Sequence, residues 1–237
     1  MAGHNKWSQI KHKKAKTDAK RGKAFTKLIK EITVASREGG GDPDGNARLR
    51  QLVDKAKYIN MPTDNVTRAI KKGTGELPGA NYEPSMYEGY GPFGVAVIIE
   101  TLSDNKNRTV ADMRHMFSKG GGSLGESGSV NWMFKKMGVV RGTGTISEDV
   151  LLEALLEYEV DDIKKDENFV SVFCDPKSLD AVKKAAESAG IKIDSAEHEW
   201  VAQNNTELSD EQSEKVVQFL SMIEDHDDVQ NVYTNLA

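Results

Sequence analysis

The chain has 237 residues, of which 38% are hydrophobic and 29% are charged, so it is long enough to bury a core and to form two or three domains. Its sequence has no run of about 18 apolar residues, which argues against a membrane-spanning helix, and its apolar-poor start is not expected to be a secretory signal. The single cysteine, Cys174, excludes an intramolecular disulfide and favours a reducing compartment. We therefore expect a soluble cytoplasmic protein.

Charge is distributed unevenly along the chain. Residues 1–75 contain 18 Lys and Arg against 7 Asp and Glu, a balance of +11. The remaining residues contain 14 against 30, a balance of -16, so the overall net charge of -5 hides the division. A basic segment next to an acidic body is typical of a protein that binds a polyanion.

Residues 1–23 are interpreted as a basic arm. They contain eight Lys and Arg and one acid, and their only sizeable apolar side chains are Trp7 and Ile10, so the arm is not expected to build a core of its own. Helical spacing starts at Phe25 and continues, beyond a glycine-rich loop, into two further helices that end near Gly73. This pattern predicts a helical domain.

The rest of the chain alternates between strands and helices. A strand over 94–102, a helix over 108–119 and a strand over 130–134 predict the start of an α/β domain. Residues 135–204 then have the order β-α-β-β-α-β, which is the ferredoxin-like (split βαβ) arrangement. The helix and strand that follow cannot bury their faces alone, so they must return to the first sheet.

The predicted fold class is therefore a multidomain α+β protein. It has a three-helix N-terminal domain followed by two α/β domains, of which the ferredoxin-like one is inserted into the other. The predicted boundaries are 1–75 for the basic helical domain, 82–134 plus 205–237 for the discontinuous middle domain, and 135–204 for the inserted domain.

Two glycine-rich stretches imitate nucleotide-binding motifs. The stretch 89–94 has the glycine spacing of a dinucleotide-binding loop, but it precedes a strand and contains Pro92. The stretch 120–128 has the spacing of a phosphate-binding loop, but Glu126 occupies the position that needs lysine. We interpret the first as a turn and the second as a flexible turn of unassigned role.

No catalytic residue, metal site or cofactor is predicted. The five histidines show no pairing at metal-ligand spacing, and Cys174 is expected to be a small buried hydrophobe. His226, Asp227 and Asp228 are expected to form a solvated turn. A nuclease with a carboxylate-bound metal is the enzymatic alternative, and we rank it third.

The basic arm is the strongest functional feature of the sequence. Lysines neutralise phosphates and release counterions without reading base sequence, and Trp7 is available in this interpretation to stack on an exposed base. The predicted nucleic-acid-binding residues are Lys6, Trp7, Lys11, His12, Lys13, Lys14, Lys16, Lys20, Arg21, Lys23 and Lys27.

Several short motifs resemble those of the YebC/PmpR family. They occur at both ends of the basic region and in the glycine-rich turn, and they extend over nearly the whole chain. The matching stretches are 3–7, 10–12, 20–23, 40–43, 60–62, 69–73 and 128–130. Because the first of these motifs starts at once, no transit peptide is expected.

The resemblance implies three domains, no catalytic residue, no cofactor and a role in gene expression. Bacterial members of the family are described as probable transcriptional regulatory proteins that bind DNA, whereas others, including mitochondrial relatives, are linked to translation on the ribosome. We therefore expect a non-enzymatic cytoplasmic regulator that binds DNA through its basic N-terminal domain. The acidic α/β domains are then expected either to contact a protein partner or to set the geometry between the domains. The alternative function is a ribosome-associated translation factor that binds ribosomal RNA through the same arm.

Overall fold

A computed structural model gives the fold of the chain. It describes the backbone of Trp7 and of residues 18–237, and the side chains of Trp7 and of residues 22–237. The described residues form two compact units, of which the first comprises those up to Asn131 together with Thr206–Ala237, and the second is Trp132–Asn205. No helix in these ranges is both long and apolar enough to cross a membrane.

The predicted α+β fold class is confirmed, since the described residues form seven α-helices and two four-stranded sheets. In chain order the elements are α1 (Asp18–Gly39), α2 (Ala47–Tyr58), α3 (Thr63–Gly73), β1 (Glu83–Tyr90), β2 (Ala96–Ser103), α4 (Lys106–Lys119), β3 (Ser123–Leu124), β4 (Phe134–Thr143), α5 (Glu148–Leu155), β5 (Val160–Asp166), β6 (Phe169–Cys174), α6 (Leu179–Ser188), β7 (Lys192–Ala202), α7 (Asp210–Glu224) and β8 (Val229–Thr234).

The three N-terminal helices pack around a small apolar core supplied by one face of each helix. Asn46 fixes the turn between the first two, because its side chain accepts a hydrogen bond from the Leu49 N–H and donates to the carbonyls of Ala35 and Gly40. Gly73 allows α3 to approach α1, since a Cβ there would lie 2.4 Å from the Thr33 carbonyl oxygen. The core side chains are Leu28, Ile32, Ala35, Leu49, Leu52, Ala56, Met61, Val66 and Ala69.

The sheet of the first unit has the strand order β3-β1-β2-β8, and its neighbouring strands are antiparallel. Strand β8 pairs with β2, with Val232 opposite Ile99, so the end of the chain returns to the first sheet as predicted. Strand β1 was not predicted, because its sequence has no apolar alternation.

The predicted strand over 130–134 is wrong. Residues Asn131–Met133 form a 3₁₀ turn, and the strand begins only at Phe134. The physical reason is the buried carboxylate of Glu88 on β1. Its two oxygens accept hydrogen bonds from the backbone N–H groups of Gly128, Val130 and Asn131, with N···O distances of 2.8–2.9 Å. These N–H groups are therefore not available for a sheet, and the turn interpreted as flexible is held in place.

The second unit is the predicted ferredoxin-like fold. Its strand order is β5-β6-β4-β7 with antiparallel neighbours, and β4, α5, β5, β6, α6 and β7 follow one another along the chain. Helices α5 and α6 bury Leu151, Leu155 and Val182 in a core shared with the sheet. The insertion of this fold between the two parts of the first unit is as expected from the sequence.

Cys174, at the end of β6, is fully buried in this core, as expected. Burial, followed by the negative charges of Asp161 and Asp175, raises the pKa of its thiol to about 11. Since the thiolate is the reactive form, we expect alkylation of the native protein at pH 8 to be slow and to become fast after unfolding in urea. Rapid stoichiometric alkylation of the folded chain, measured by mass spectrometry, would contradict this burial.

Candidate nucleic-acid interface

The structure describes the side chains of three of the eleven predicted nucleic-acid-binding residues, namely Trp7, Lys23 and Lys27. Lys20 and Arg21 lie in helix α1, but their side chains are outside the described residues. The other six, which also lie outside the described residues, are Lys6, Lys11, His12, Lys13, Lys14 and Lys16. The assignment of these eight residues therefore stays a prediction.

The expectation that Trp7 is free to stack on a base is wrong, because its side chain is only 2% exposed. The indole belongs to the apolar core of the first unit, together with Val97, Phe117 and Leu220, and its Nε1–H donates to the Val232 carbonyl oxygen at 3.1 Å. An indole whose ring is covered by core side chains has no face left for a base. The arm therefore contributes to a core after all, through the described side chain of Trp7.

Three lysines on one face of α1 are engaged at the carboxyl end of α7. Lys27 donates to the Glu224 carbonyl at 2.8 Å, and Lys23 donates to the Asp225 carbonyl at 3.0 Å. One turn further along α1, Lys30 donates to the Asp227 carbonyl at 2.9 Å. A helix carboxyl end has unpaired carbonyls and a partial negative charge, and the last turn of α7 has no basic residue of its own.

The predicted phosphate contact of Lys27 is therefore replaced by an intramolecular contact. Its half-buried ammonium group is bound to the end of α7, where it satisfies a carbonyl that the helix leaves unpaired. Lys23 also pairs with the Asp225 carboxylate at 3.4 Å, but about half of its side chain remains exposed. Of the two, only Lys23 presents a substantial surface to a ligand.

Lys30 and Asp228 form a buried ion pair that was not predicted. The Lys30 Nζ lies 2.7 Å from the Asp228 Oδ1, and both side chains are less than a tenth exposed. Arg108, Thr109 and Ser103 donate to the Asp228 Oδ2 at 2.8–3.1 Å. The solvated turn predicted at 226–228 is thus wrong for Asp228, which is a buried acceptor of four side chains.

A cavity of about 530 Å³ opens beside this ion pair. Its lining contains four aspartates and two basic side chains, so its net charge is negative and repels a phosphate. Burial, followed by the charges of Asp104 and Asp228, raises the pKa of Tyr82 on the cavity wall. The full lining is Thr26, Lys30, Tyr82, Asp104, Arg108, Asp225, His226, Asp227 and Asp228.

The pKa of Asp228 is held well below its usual range. Burial alone would raise it, but the hydrogen bonds from Lys30, Arg108 and Thr109 and the charge of Lys30 outweigh that effect. A lowered carboxyl pKa adds stability that is complete above the unfolded-state value of about 3.9 and is lost as the pH falls towards the folded value. Asp228 is thus expected to be ionised throughout the neutral range.

We expect Asp228→Asn to lower the free energy of unfolding by about 3–5 kcal/mol at pH 7, because it leaves the buried Lys30 without its counter-charge. The difference from the parent protein should stay constant between pH 7 and about pH 5 and decrease below roughly pH 4. Urea unfolding at each pH measures it. The matched control is Glu211→Gln, whose exposed pair with Lys215 should cost less than about 1 kcal/mol; equal costs for both variants would contradict a dominant role of the buried pair.

Trp7→Ala is expected to lower the free energy of unfolding by about 3–5 kcal/mol, the usual cost of truncating a core tryptophan. The reason is the loss of its packing in the first unit and of its hydrogen bond to Val232. Thermal and urea unfolding of the full chain measure the change. A variant as stable as the parent would contradict the burial of Trp7 and would again make it a candidate for stacking on a base.

In the described part of the N-terminal helices most exposed cations lie on α2 and α3, and α1 adds Lys23 and Arg37. On α2 these are Arg48, Arg50, Lys55 and Lys57, and on α3 they are Arg68, Lys71 and Lys72. Among them, Arg48 pairs with Glu38, Lys57 with Asp54, and Arg68 with Asn65. Within the described ranges, no three His, Cys, Asp or Glu side chains converge as a metal site.

Comparison with known proteins places this arrangement in a family. Residues 5–76 match the family model described as "TACO1/YebC protein N-terminal domain", and residues 82–236 match the one described as "TACO1/YebC second and third domain". The fold is similar to the crystal structure of a conserved hypothetical protein, Aq1575, from Aquifex aeolicus, with a TM-score of 0.87. The two sequences are 44% identical, and the match covers 98% of this chain and 96% of that one.

Two curated relatives have the same name and nearly the same length. Probable transcriptional regulatory protein CT1665 of Chlorobaculum tepidum is 54% identical over 238 residues, which is 100% of this chain and 95% of that protein. A probable transcriptional regulatory protein of Desulfatibacillum aliphaticivorans is 54% identical over 236 residues, or 99% and 96% of the two chains. These matches confirm the resemblance noted in the sequence: the chain belongs to the TACO1/YebC family.

Proposed function

We propose that this chain is a non-enzymatic regulator of gene expression that binds DNA through its basic N-terminal segment. The observation that carries the proposal is the balance of +11 in residues 1–75 against -16 in the rest of the chain. A positive segment of this size attracts a polyanion, and it contains no comparable negative charge that would repel the polyanion. The name probable transcriptional regulatory protein, which the two relatives bear, supports DNA as the polyanion.

The proposed contacts are the arm residues that are not bound in the core or at the helix end, together with Lys23, which binds the helix end but stays about half exposed. Trp7 is withdrawn because it is buried, and Lys27 because it is bound to the Glu224 carbonyl. The retained residues are Lys6, Lys11, His12, Lys13, Lys14, Lys16, Lys20, Arg21 and Lys23. Seven of these nine are lysines, which act as point charges and favour phosphate contacts over the paired hydrogen bonds by which arginine reads guanine.

The remaining parts of the proposal concern domains, partner and location. We propose the division into 1–75, 82–134 plus 205–237, and 135–204, which is supported by the family description of a separate N-terminal domain and of a second and third domain. The acidic α/β parts are proposed to contact a protein partner. A cytoplasmic location is supported by the single, fully buried Cys174.

Replacing Lys13 and Lys14 by alanine tests the proposal in the full chain. Deleting the whole arm is a poorer test, because it also removes Trp7 from the core. If about six cations contact duplex DNA, the logarithm of affinity should fall with the logarithm of salt concentration with a slope of about -5. The double replacement should make that slope shallower by roughly 2, with the same loss on every duplex sequence.

Lys215→Ala is the matched control, since it removes an exposed cation far along the chain, on α7. Titrations of one duplex DNA and of single-stranded RNA of the same sequence, at several salt concentrations, give the slopes. A slope near zero for the parent protein would remove the electrostatic basis of the proposal. RNA binding that is tighter than DNA binding at every salt concentration would contradict DNA as the target and would favour the ribosomal alternative.

A further inference from the structure

Helix α2 turns a basic face to the solvent. Its apolar side chains Leu49, Leu52 and Ala56 are buried against the other N-terminal helices. The opposite face presents two parallel rows at helical spacing, each consisting of residues four and then three positions apart. One row is Arg50, Asp54 and Lys57, the other is Gln51, Lys55 and Tyr58, and all six side chains are exposed.

Tyr58 is the aromatic residue of this face, and it is 66% exposed. In the described part of the chain, its ring makes no aromatic or cation contact and its hydroxyl has no hydrogen-bond partner. Single exposed apolar side chains are common on protein surfaces. Tyr58 differs from them in its neighbours along the helix, because Lys55 and Lys57 lie in the same last turn.

The cations of α2 differ from those of α1 in what they contact. In α1, Lys23, Lys27 and Lys30 donate to carbonyls at the end of α7, so they hold the fold together. In α2, Arg50 forms no ion pair with any described residue, and the pair between Lys57 and Asp54 is exposed and therefore weak. Arg50 and Lys57 are thus available to a ligand at little cost to the fold.

We infer that the outer face of α2 is a second nucleic-acid contact, in which Tyr58 stacks on an unpaired base while Arg50 and Lys57 contact the flanking phosphates. This inference rests on the proposed function and adds a site to it. An aromatic ring next to cations is the arrangement that binds single strands, because every base has a face to stack and every nucleotide has a phosphate. Paired bases inside a duplex cannot reach the ring, so the site selects melted or mismatched DNA.

Tyr58 lies at the carboxyl end of α2, so the charge of that helix end must be offset before a phosphate can approach the ring. The carboxyl end of a helix has a partial negative charge, which repels phosphate. Lys55 and Lys57 lie in this last turn and offset that charge. The ring and the two lysines together therefore form a surface that a nucleic-acid backbone can approach.

The test compares a DNA duplex with the same duplex that carries a central run of mismatched bases. The full-length parent protein should bind the mismatched duplex more tightly. Tyr58→Ala should weaken binding of the mismatched duplex by about five- to tenfold and leave binding of the perfect duplex unchanged, whereas Tyr58→Phe should keep the parent affinities. Arg50→Gln should weaken both and make both salt slopes shallower by about one.

Phe93→Ala is the matched control, because Phe93 is an exposed aromatic residue, 46% accessible, in a turn without cations. If the parent protein binds neither DNA in a salt-dependent way, the proposed function fails and this inference with it. If the parent binds and Tyr58→Ala binds both DNAs like the parent, only the inference is overturned. Equal losses on both DNAs would also overturn it, and thermal unfolding of the variant would show whether lost stability is the cause.

Discussion

The buried pair of Lys30 and Asp228 constrains how the two ends of the chain meet. Each charge loses its hydration in this position, and only the other charge with its surrounding donors compensates that loss. Lys30 lies on the first helix and Asp228 immediately precedes the last strand, so the compensation exists only when both ends reach the same place. The pairing of β8 with β2 brings Asp228 to the edge of α4, where Arg108 and Thr109 complete its set of donors.

This constraint explains why the positive charge of the N-terminal segment does not by itself locate a binding surface. Lys23, Lys27 and Lys30 of α1 face the end of α7, whose last turn contains no cation, and supply there the positive charge that the helix end lacks. The same residue type on α2 faces solvent, because the apolar side of that helix is used against α1. A count of cations measures attraction to a polyanion, whereas the contacts of each ammonium group determine which cations are available.

The parts of the fold that could be predicted from the sequence are those with a strong local pattern. Helix α7 was predicted because its apolar side chains recur at helical spacing, and in the structure a capping box at Ser209 begins it. The ferredoxin-like order of the second unit was predicted for the same reason. Strand β1 was missed because its sequence has no apolar alternation, and one residue that faces the core there is a glycine: a Cβ on Gly89 would lie 2.7 Å from the Phe117 ring.

The candidate site was harder to predict than the fold, because burial of polar residues depends on distant partners. Glu88 and Asp228 look like ordinary surface acids in the sequence, yet each is at most 3% exposed. Their partners come from segments far away along the chain: Val130 and Asn131 for Glu88, and Lys30 for Asp228. No local periodicity indicates such contacts, and only the assembled sheet shows them.

Trp7 and Tyr58 differ in the free energy that each would lose by binding a base. An indole that buries roughly 150–250 Å² contributes about 4–6 kcal/mol to folding at the usual value per unit of apolar area. Stacking on one base returns about 1–3 kcal/mol, so leaving the core to bind a base is unfavourable for Trp7. Tyr58 is already exposed and gives up no such burial when it stacks. In a basic segment with both kinds of aromatic residue, the one that the core does not need is therefore the one that can serve a ligand.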